Sequence, residues 1–127
     1  MAYAEKMIPS AAVREMIDRY RNEARNPAAP DFQISELAPV SEVIRSAPWD
    51  HGVYAIYRAD QTLIYIGMSM TSVATRIAKH MSRRVQESTF WQMHTGYFAQ
   101  TILVPNSWEA PSLEEFLVQQ ALAYPGI

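Results

Sequence analysis

Cysteine is absent from the 127-residue chain, and this absence removes several kinds of chemistry at once. Without cysteine there is no disulfide framework, no thiolate metal site and no cysteine nucleophile. A metal ion would have to bind oxygen or imidazole ligands. The sequence also contains no Gly-rich phosphate loop, no Ser nucleophile motif and no internal repeat.

Long apolar runs and a targeting segment are missing as well. No run of consecutive apolar residues approaches the length of a membrane span. The N-terminal residues 1–6 lack the basic region followed by an apolar core that a signal peptide has. We therefore expect a soluble, cytoplasmic protein with no membrane partner.

A strong positive charge is missing too, since the formal net charge is -2 and the pI is about 5.9. Proteins held on nucleic acid by bulk electrostatics usually have the opposite balance. A local basic face is still expected on one helix, which carries five cationic or titratable residues within nine positions: Arg76, Lys79, His80, Arg83 and Arg84.

The length and the high apolar content predict one domain with a single core. Residues 1–48 are predicted to be an N-terminal helical extension and linker, and residues 49–127 the main domain. Ser10 to Arg25 has an apolar stripe of helical period with Ser10 as its N-cap, and the prolines of residues 26–30 end it. A second helix is predicted from Ser35 to Ser46, with Pro39 in its first turn.

The main domain is predicted to be α+β: a small, three-stranded, mainly antiparallel sheet flanked by helices. The predicted strands are 52–57, 63–66 and 97–104, and the first two form a hairpin. Helices are predicted over 72–84, with Val73, Ile77 and Met81 facing inward, and over 112–124. The second of these helices has Ser112 and Glu115 in a capping-box pattern, and its predicted buried stripe is Leu113, Phe116, Leu117 and Leu122. The three tryptophans, Trp49, Trp91 and Trp108, are predicted to lie in the core.

The hairpin and the helix after it carry a constellation of polar side chains. Tyr54 and Tyr65 lie on the two strands, and Arg76 and His80 lie one turn apart on the helix, so that both can point the same way. Arg76 presents a planar fork of donors that matches phosphate oxygens. Tyrosines on paired strands beside an Arg and a His indicate a functional site. His51 and His94 are predicted to be structural or surface residues, with substrate contact as the alternative for His51.

Taken in order, these residues resemble the GIY-YIG nuclease superfamily. Its two strand motifs stand here as Gly52-Val53-Tyr54 and Tyr65-Ile66-Gly67, and Arg76 follows nine residues after Gly67. The segment Leu113-Glu114-Glu115-Phe116-Leu117-Val118 resembles the family's late helix, in which a Glu precedes two aliphatic residues. By that spacing, Glu114 matches better than Glu115. The resemblance covers roughly Trp49 to Pro125.

The resemblance implies a metal-dependent endonuclease that hydrolyses DNA phosphodiester bonds, with RNA as the other candidate substrate. It implies that Glu114 binds the metal ion. Because carboxylate oxygens suit hard divalent cations, this ion would be Mg²⁺ or Mn²⁺. Arg76 would bind phosphate, and Tyr54, Tyr65 and His80 would activate and orient water. All three compete for the role of base; the family favours Tyr54, whereas an ordinary imidazole has the more suitable pKa. Substrate contacts are expected from Gly52, Gly67, Lys79, Arg83 and Arg84.

One departure from the family pattern supports an alternative. The family commonly has an Asn shortly after a proline at the end of the late helix, and here Pro125 is followed by Gly126 and Ile127. The alternative function is therefore a catalytically degenerate module that keeps the fold and binds nucleic acid or a protein partner.

Overall fold

The central antiparallel sheet is present as predicted. The structure is a computed structural model that describes residues 6–46, 50–84 and 96–125. The side chains of residues 46 and 82–84 lie outside that description. In chain order the elements are β1 (Lys6–Met7), α1 (Ser10–Glu23), β2 (Gln33–Ile34), β3 (Ala38–Pro39), α2 (Val40–Ser46), β4 (Gly52–Arg58), β5 (Thr62–Ser69), α3 (Val73–Arg84), β6 (Tyr97–Leu103) and α4 (Glu109–Ala123).

β4 is the middle strand, with β5 on one side and β6 on the other, both antiparallel to it. These three strands form the sheet that the alternating Val, Ile and Tyr residues predict. The segment before them adds three two-residue strands. β1 pairs with β5, and both β2 and β3 pair with β6, so the segment of residues 6–46 contributes three short strands to the same sheet as the hairpin.

Each face of the sheet is covered by two helices. On one face α1 and α4 pack over apolar side chains that include Val53, Ala55 and Ile102. On the other face α2 and α3 pack over a second set that includes Tyr54 and Ile56. Because successive residues of a strand point to opposite faces, β4 supplies both layers and its apolar residues are buried on both sides.

The start of α2 differs from the prediction. This helix begins at Val40 and not at Ser35, because Ala38 and Pro39 pair with β6 as β3. Pro39 therefore does not lie in a first helical turn. Proline lacks the N–H that an inner strand needs, and a short outer strand is where a sheet tolerates it.

The predicted N-caps of the two amphipathic helices are also wrong. α1 has Pro9 as its N-cap residue and no side-chain cap. α4 begins at Glu109, three residues before the predicted cap, so Ser112 lies inside the helix. Its hydroxyl is 3.0 Å from the Tyr20 hydroxyl on α1. The capping-box pattern was therefore misleading, because Ser112 serves a contact between helices.

Two predicted core residues lie on the surface. Trp108 is 69% exposed at the start of α4, and Leu122 is 42% exposed near its end, where Val118 and Ala121 take the buried positions instead. Trp49 and Trp91 lie outside the described residues, as does His94. Among the helices of the described residues, none is both long and apolar enough to cross a membrane.

Candidate active site

Two tyrosines lie side by side on the face of the sheet that α3 covers. Tyr54 on β4 pairs with Gly67 on β5, and Tyr65 pairs with Ile56. Residues two apart on a strand share a face, so these pairings place both tyrosines on the same side. Their ring centroids are 5.9 Å apart.

His80 extends this pair into a row of three rings. α3 packs on the sheet through Val73, Ile77 and Met81, which are fully buried as predicted. This packing brings His80 onto Tyr65, with ring centroids 3.9 Å apart and an angle of 27° between the ring planes. The structure thus brings together the predicted tyrosines and the predicted histidine from the two strands and the next helix.

Gly67 makes room for both tyrosine rings. A Cβ atom at this position would lie 2.6 Å from Cζ and Oη of Tyr54 and 2.6 Å from Cε2 of Tyr65. Gly52 allows β4 and β6 to approach each other closely, since a Cβ atom there would lie 2.2 Å from the carbonyl oxygen of Ile102. Both motif glycines are therefore required by packing inside the protein. Their contact with substrate stays a prediction.

Arg76 projects from the exposed side of α3 and acts on the Tyr54 phenol. Tyr54 is fully buried, and burial raises the pKa of its hydroxyl well above the usual value. The neighbouring Tyr65 raises this pKa further, while the Arg76 guanidinium lowers it. The Arg76 side chain also lowers this pKa through a hydrogen-bonding interaction with the hydroxyl, although no described residue meets the usual distance and angle limits for a hydrogen bond to it. The phenol therefore keeps its proton at neutral pH and is available to donate it in a hydrogen bond.

Glu114 reaches the same site from α4. Its carboxylate is half-buried, and burial raises its pKa, with a smaller upward contribution from Glu115 and a downward one from Arg76. The charge of Glu114 also raises the pKa of Tyr54. Glu114, Arg76 and Tyr54 therefore lie close enough for each to change the electrostatics of another. Glu115, the next residue, is exposed, and the choice of Glu114 as the metal ligand stays a prediction.

A comparison with protein-family models identifies this arrangement. The model of the GIY-YIG catalytic domain matches residues 50–121, which is more than half of the chain. The chain belongs to the GIY-YIG family. A search of curated proteins returned no match to the sequence. Membership assigns the chain to a family of the nuclease type and makes nucleic acid its substrate class.

GIY-YIG nucleases are generally metal-dependent, and the residues present fit a hard divalent cation. Within the residues that the structure describes, no three His, Cys, Asp or Glu side chains lie close enough together to enclose an ion. Mg²⁺ does not need such a cage, because it commonly binds one or two carboxylates and takes its other ligands from waters and substrate phosphates. The half-buried carboxylate of Glu114, whose pKa the Arg76 guanidinium lowers, matches that mode.

The basic face of this GIY-YIG domain is described in part. Lys79 is exposed on α3, one turn from Arg76. The side chains of Arg83 and Arg84 lie outside the described residues, so their expected substrate contacts stay predictions. His51 stands at the start of β4, with Nε2 3.3 Å from the Asp50 carboxylate.

Proposed function

We propose that the protein is a metal-dependent endonuclease that hydrolyses DNA phosphodiester bonds. The observation that carries this proposal is the electrostatic link of the buried Tyr54 phenol to both Arg76 of α3 and Glu114 of α4. Helices on opposite faces of the sheet thus place a cation and a carboxylate near enough to the same phenol to change its pKa. Phosphodiester hydrolysis needs this combination of a cation for the phosphate, an oxygen ligand for a metal ion and donors for water.

Arg76 binds the scissile phosphate in this proposal. Its guanidinium is exposed and always charged, and its planar fork can donate two parallel hydrogen bonds to phosphate oxygens. Lys79, one turn further along the same helix, adds positive charge along the path of the DNA backbone. Arg83 and Arg84 extend this basic face in the sequence, and we call the four residues the basic stripe.

The rings of Tyr54, Tyr65 and His80 orient the attacking water and accept its proton in this proposal. The Tyr54 phenol holds its own proton and donates a hydrogen bond through Oη, either to the water or to a phosphate oxygen. The His80 imidazole takes the proton from the water, because imidazole is the usual general base near neutral pH. Tyr65 holds that imidazole by stacking against it and leaves its own hydroxyl to orient the water.

Glu114 holds the divalent ion, Mg²⁺ or Mn²⁺, through its carboxylate oxygens. When bound, such an ion supplies Lewis-acid stabilisation of negative charge on the phosphate and on the departing oxygen. Burial raises the pKa of Glu114, because water solvates its charge poorly there. A neighbouring cation therefore favours the ionised carboxylate more strongly here than at a fully exposed site.

Cleavage of supercoiled plasmid in Mg²⁺ tests this function. We expect wild-type protein to nick or linearise the plasmid, and expect Arg76→Ala and Glu114→Gln to lose about 100-fold or more of the rate. Arg14→Ala is the matched control, because Arg14 is exposed and lies on α1, which carries no predicted site residue. It should cleave at the wild-type rate.

Two results would contradict the proposal. Wild-type protein that binds DNA but cleaves nothing with Mg²⁺ or Mn²⁺ would favour the alternative of a binding module. Cleavage by the Arg76 and Glu114 variants at the wild-type rate would show that the chemistry lies elsewhere.

A further inference from the structure

A buried ion pair ties the N-terminal segment to the first turn of α4. The Arg25 guanidinium binds the Glu109 carboxylate at two points, with Nε 2.6 Å from Oε2 and Nη2 3.1 Å from Oε1. Both side chains are more than 90% buried. The same guanidinium donates to the Pro30 carbonyl at 2.5 Å and lies 4.2 Å from the centre of the Phe32 ring. Arg25 therefore joins the chain after α1 to the start of α4 through directional contacts.

A second tie lies at the other end of α4. The Lys6 ammonium donates to three carbonyl oxygens there, at 3.2 Å from Ala121, 2.6 Å from Leu122 and 3.1 Å from Tyr124. The last carbonyls of a helix have no partner within the helix, and a cation is favourable beside them. Lys6 lies on β1, which pairs with β5, so this contact joins the end of α4 to the sheet.

Between the two ends, α1 lies along α4. Tyr20 contacts the Ser112 hydroxyl at 3.0 Å and meets the Phe116 ring edge-on at 5.3 Å. Further along, Arg19 donates to Gln120. The N-terminal segment thus holds α4 at its first turn, along its middle and at its last turn.

These contacts surround the residue that α4 contributes to the site. Glu114 is five residues after Glu109, which is about 7.5 Å along the helix axis and about 140° around it. A shift of α4 along its axis, or a small rotation, would therefore move the carboxylate relative to Arg76 and Tyr54. We propose that Arg25 and Lys6 are positioning residues, which hold α4 at both ends. They would thereby fix the position of the Glu114 carboxylate relative to the Arg76 guanidinium. This inference rests on the proposed role of Glu114.

The test compares Arg25→Lys with wild-type protein. Lysine keeps the charge but lacks the planar fork, so the two-point contact with Glu109 is lost. Arg14→Lys is the control, since Arg14 is an exposed arginine on α1, in the same N-terminal segment as Arg25. Two quantities are measured well below the melting temperature: amide residual dipolar couplings, which report the orientation of α4 relative to β4, and steady-state cleavage of duplex DNA in Mg²⁺.

We expect the couplings of α4 to change together in Arg25→Lys while those of β4 stay the same. We expect kcat to fall about tenfold or more, because a displacement of about 1 Å can cost about 100-fold in rate. The KM for DNA should stay within about twofold, because Arg76 and the basic stripe are untouched. Arg14→Lys should change neither quantity.

Unchanged couplings in α4, or changed couplings with a normal kcat, would overturn the inference. If wild-type protein cleaves no DNA, the proposed function fails, and the couplings still decide whether Arg25 orients α4. If Arg25→Lys does not fold, Lys6→Met makes the same test at the other end of the helix. That variant keeps an apolar stem and removes the donors together with their positive charge, and the same criteria apply to it.

Discussion

The Tyr65 ring stacks on the His80 imidazole at a centroid distance of 3.9 Å. Tyr65 belongs to the second strand motif and His80 to the helix that follows, so this contact joins the sheet to α3 at the site. A stacked ring restrains the plane of the imidazole, and the Nε2 atom of this imidazole is buried. A general base must be held in this way, because proton transfer requires a fixed geometry.

Replacing Gly67 with alanine should damage activity more than stability. The added methyl group would lie 2.6 Å from atoms of both tyrosine rings, so one or both rings must move. We expect the cleavage rate to fall about 100-fold, as for other displacements of about 1 Å in an active site. Plasmid cleavage measures the rate, and the melting temperature shows whether the protein stays folded.

Gly96 offers the matched control for this substitution. A Cβ atom at that position meets nothing within 4 Å, so Gly96→Ala should keep normal activity. Equal rates for Gly67→Ala and wild-type protein would mean that the placement of the tyrosine rings does not matter for cleavage.

Removal of the Tyr54 hydroxyl should have opposite effects on stability and activity. This buried hydroxyl interacts with Arg76, but no described residue makes a hydrogen bond of standard geometry to it. A buried polar group without a well-formed hydrogen bond costs about 1–3 kcal/mol, so Tyr54→Phe should unfold at the same or a higher denaturant concentration. The same variant should cleave DNA more slowly, because it cannot donate to water or phosphate.

The pH dependence of cleavage separates Tyr54 from His80 as the base. If the imidazole takes the proton, Tyr54→Phe should keep the acidic limb of the wild-type pH–rate profile, and His80→Ala should abolish that limb. A profile that loses its acidic limb in Tyr54→Phe and keeps it in His80→Ala would return the role of base to Tyr54.

The charge of Glu114 should lower stability at neutral pH. Burial raises the pKa of this carboxyl in the folded protein above its value in the unfolded chain. The folded state then binds the proton more tightly, so stability falls as pH rises from the unfolded pKa through the folded pKa. We expect Glu114→Gln to melt at a higher temperature than wild-type protein at pH 7 in the presence of EDTA.

That difference in melting temperature should disappear in acid. Below the usual pKa of a glutamic acid, about 4.3, the carboxyl is protonated in both states and its charge no longer matters. Glu115→Gln provides the comparison, because Glu115 is exposed and accepts a surface hydrogen bond from Gln119. A stabilisation by Glu114→Gln that persists unchanged at low pH would show that its cause is not ionisation.

The sheet and the helix beside the tyrosines could be predicted from the sequence because local patterns specify them. Alternating β-branched and aromatic residues predict β4 and β5, and the spacing of Val73, Ile77 and Met81 predicts which side of α3 faces inward. The strand pairing then places Tyr54 and Tyr65 on one face. These local rules predict the tyrosine, arginine and histidine positions of the site. Glu114 is added because its segment resembles the late helix of the family.

Other features depend on contacts between distant segments, which local patterns do not contain. Pro39 is in a strand because β6 is available to pair with it, and Ser112 is inside a helix because α4 begins earlier and α1 lies against it. The pair of Arg25 and Glu109 joins residues 84 positions apart. No periodicity or spacing in the sequence indicates such a partner, and its role in holding α4 emerges only from the fold.

Anomalous diffraction from crystals soaked in Mn²⁺ tests the central claim most directly, because it locates the ion without relying on activity. We predict one strong peak bonded to the Glu114 carboxylate, on the side that faces Arg76 and Tyr54, and predict that the peak disappears in Glu114→Gln. A peak at any other position, or one that persists in Glu114→Gln, would contradict the proposed site.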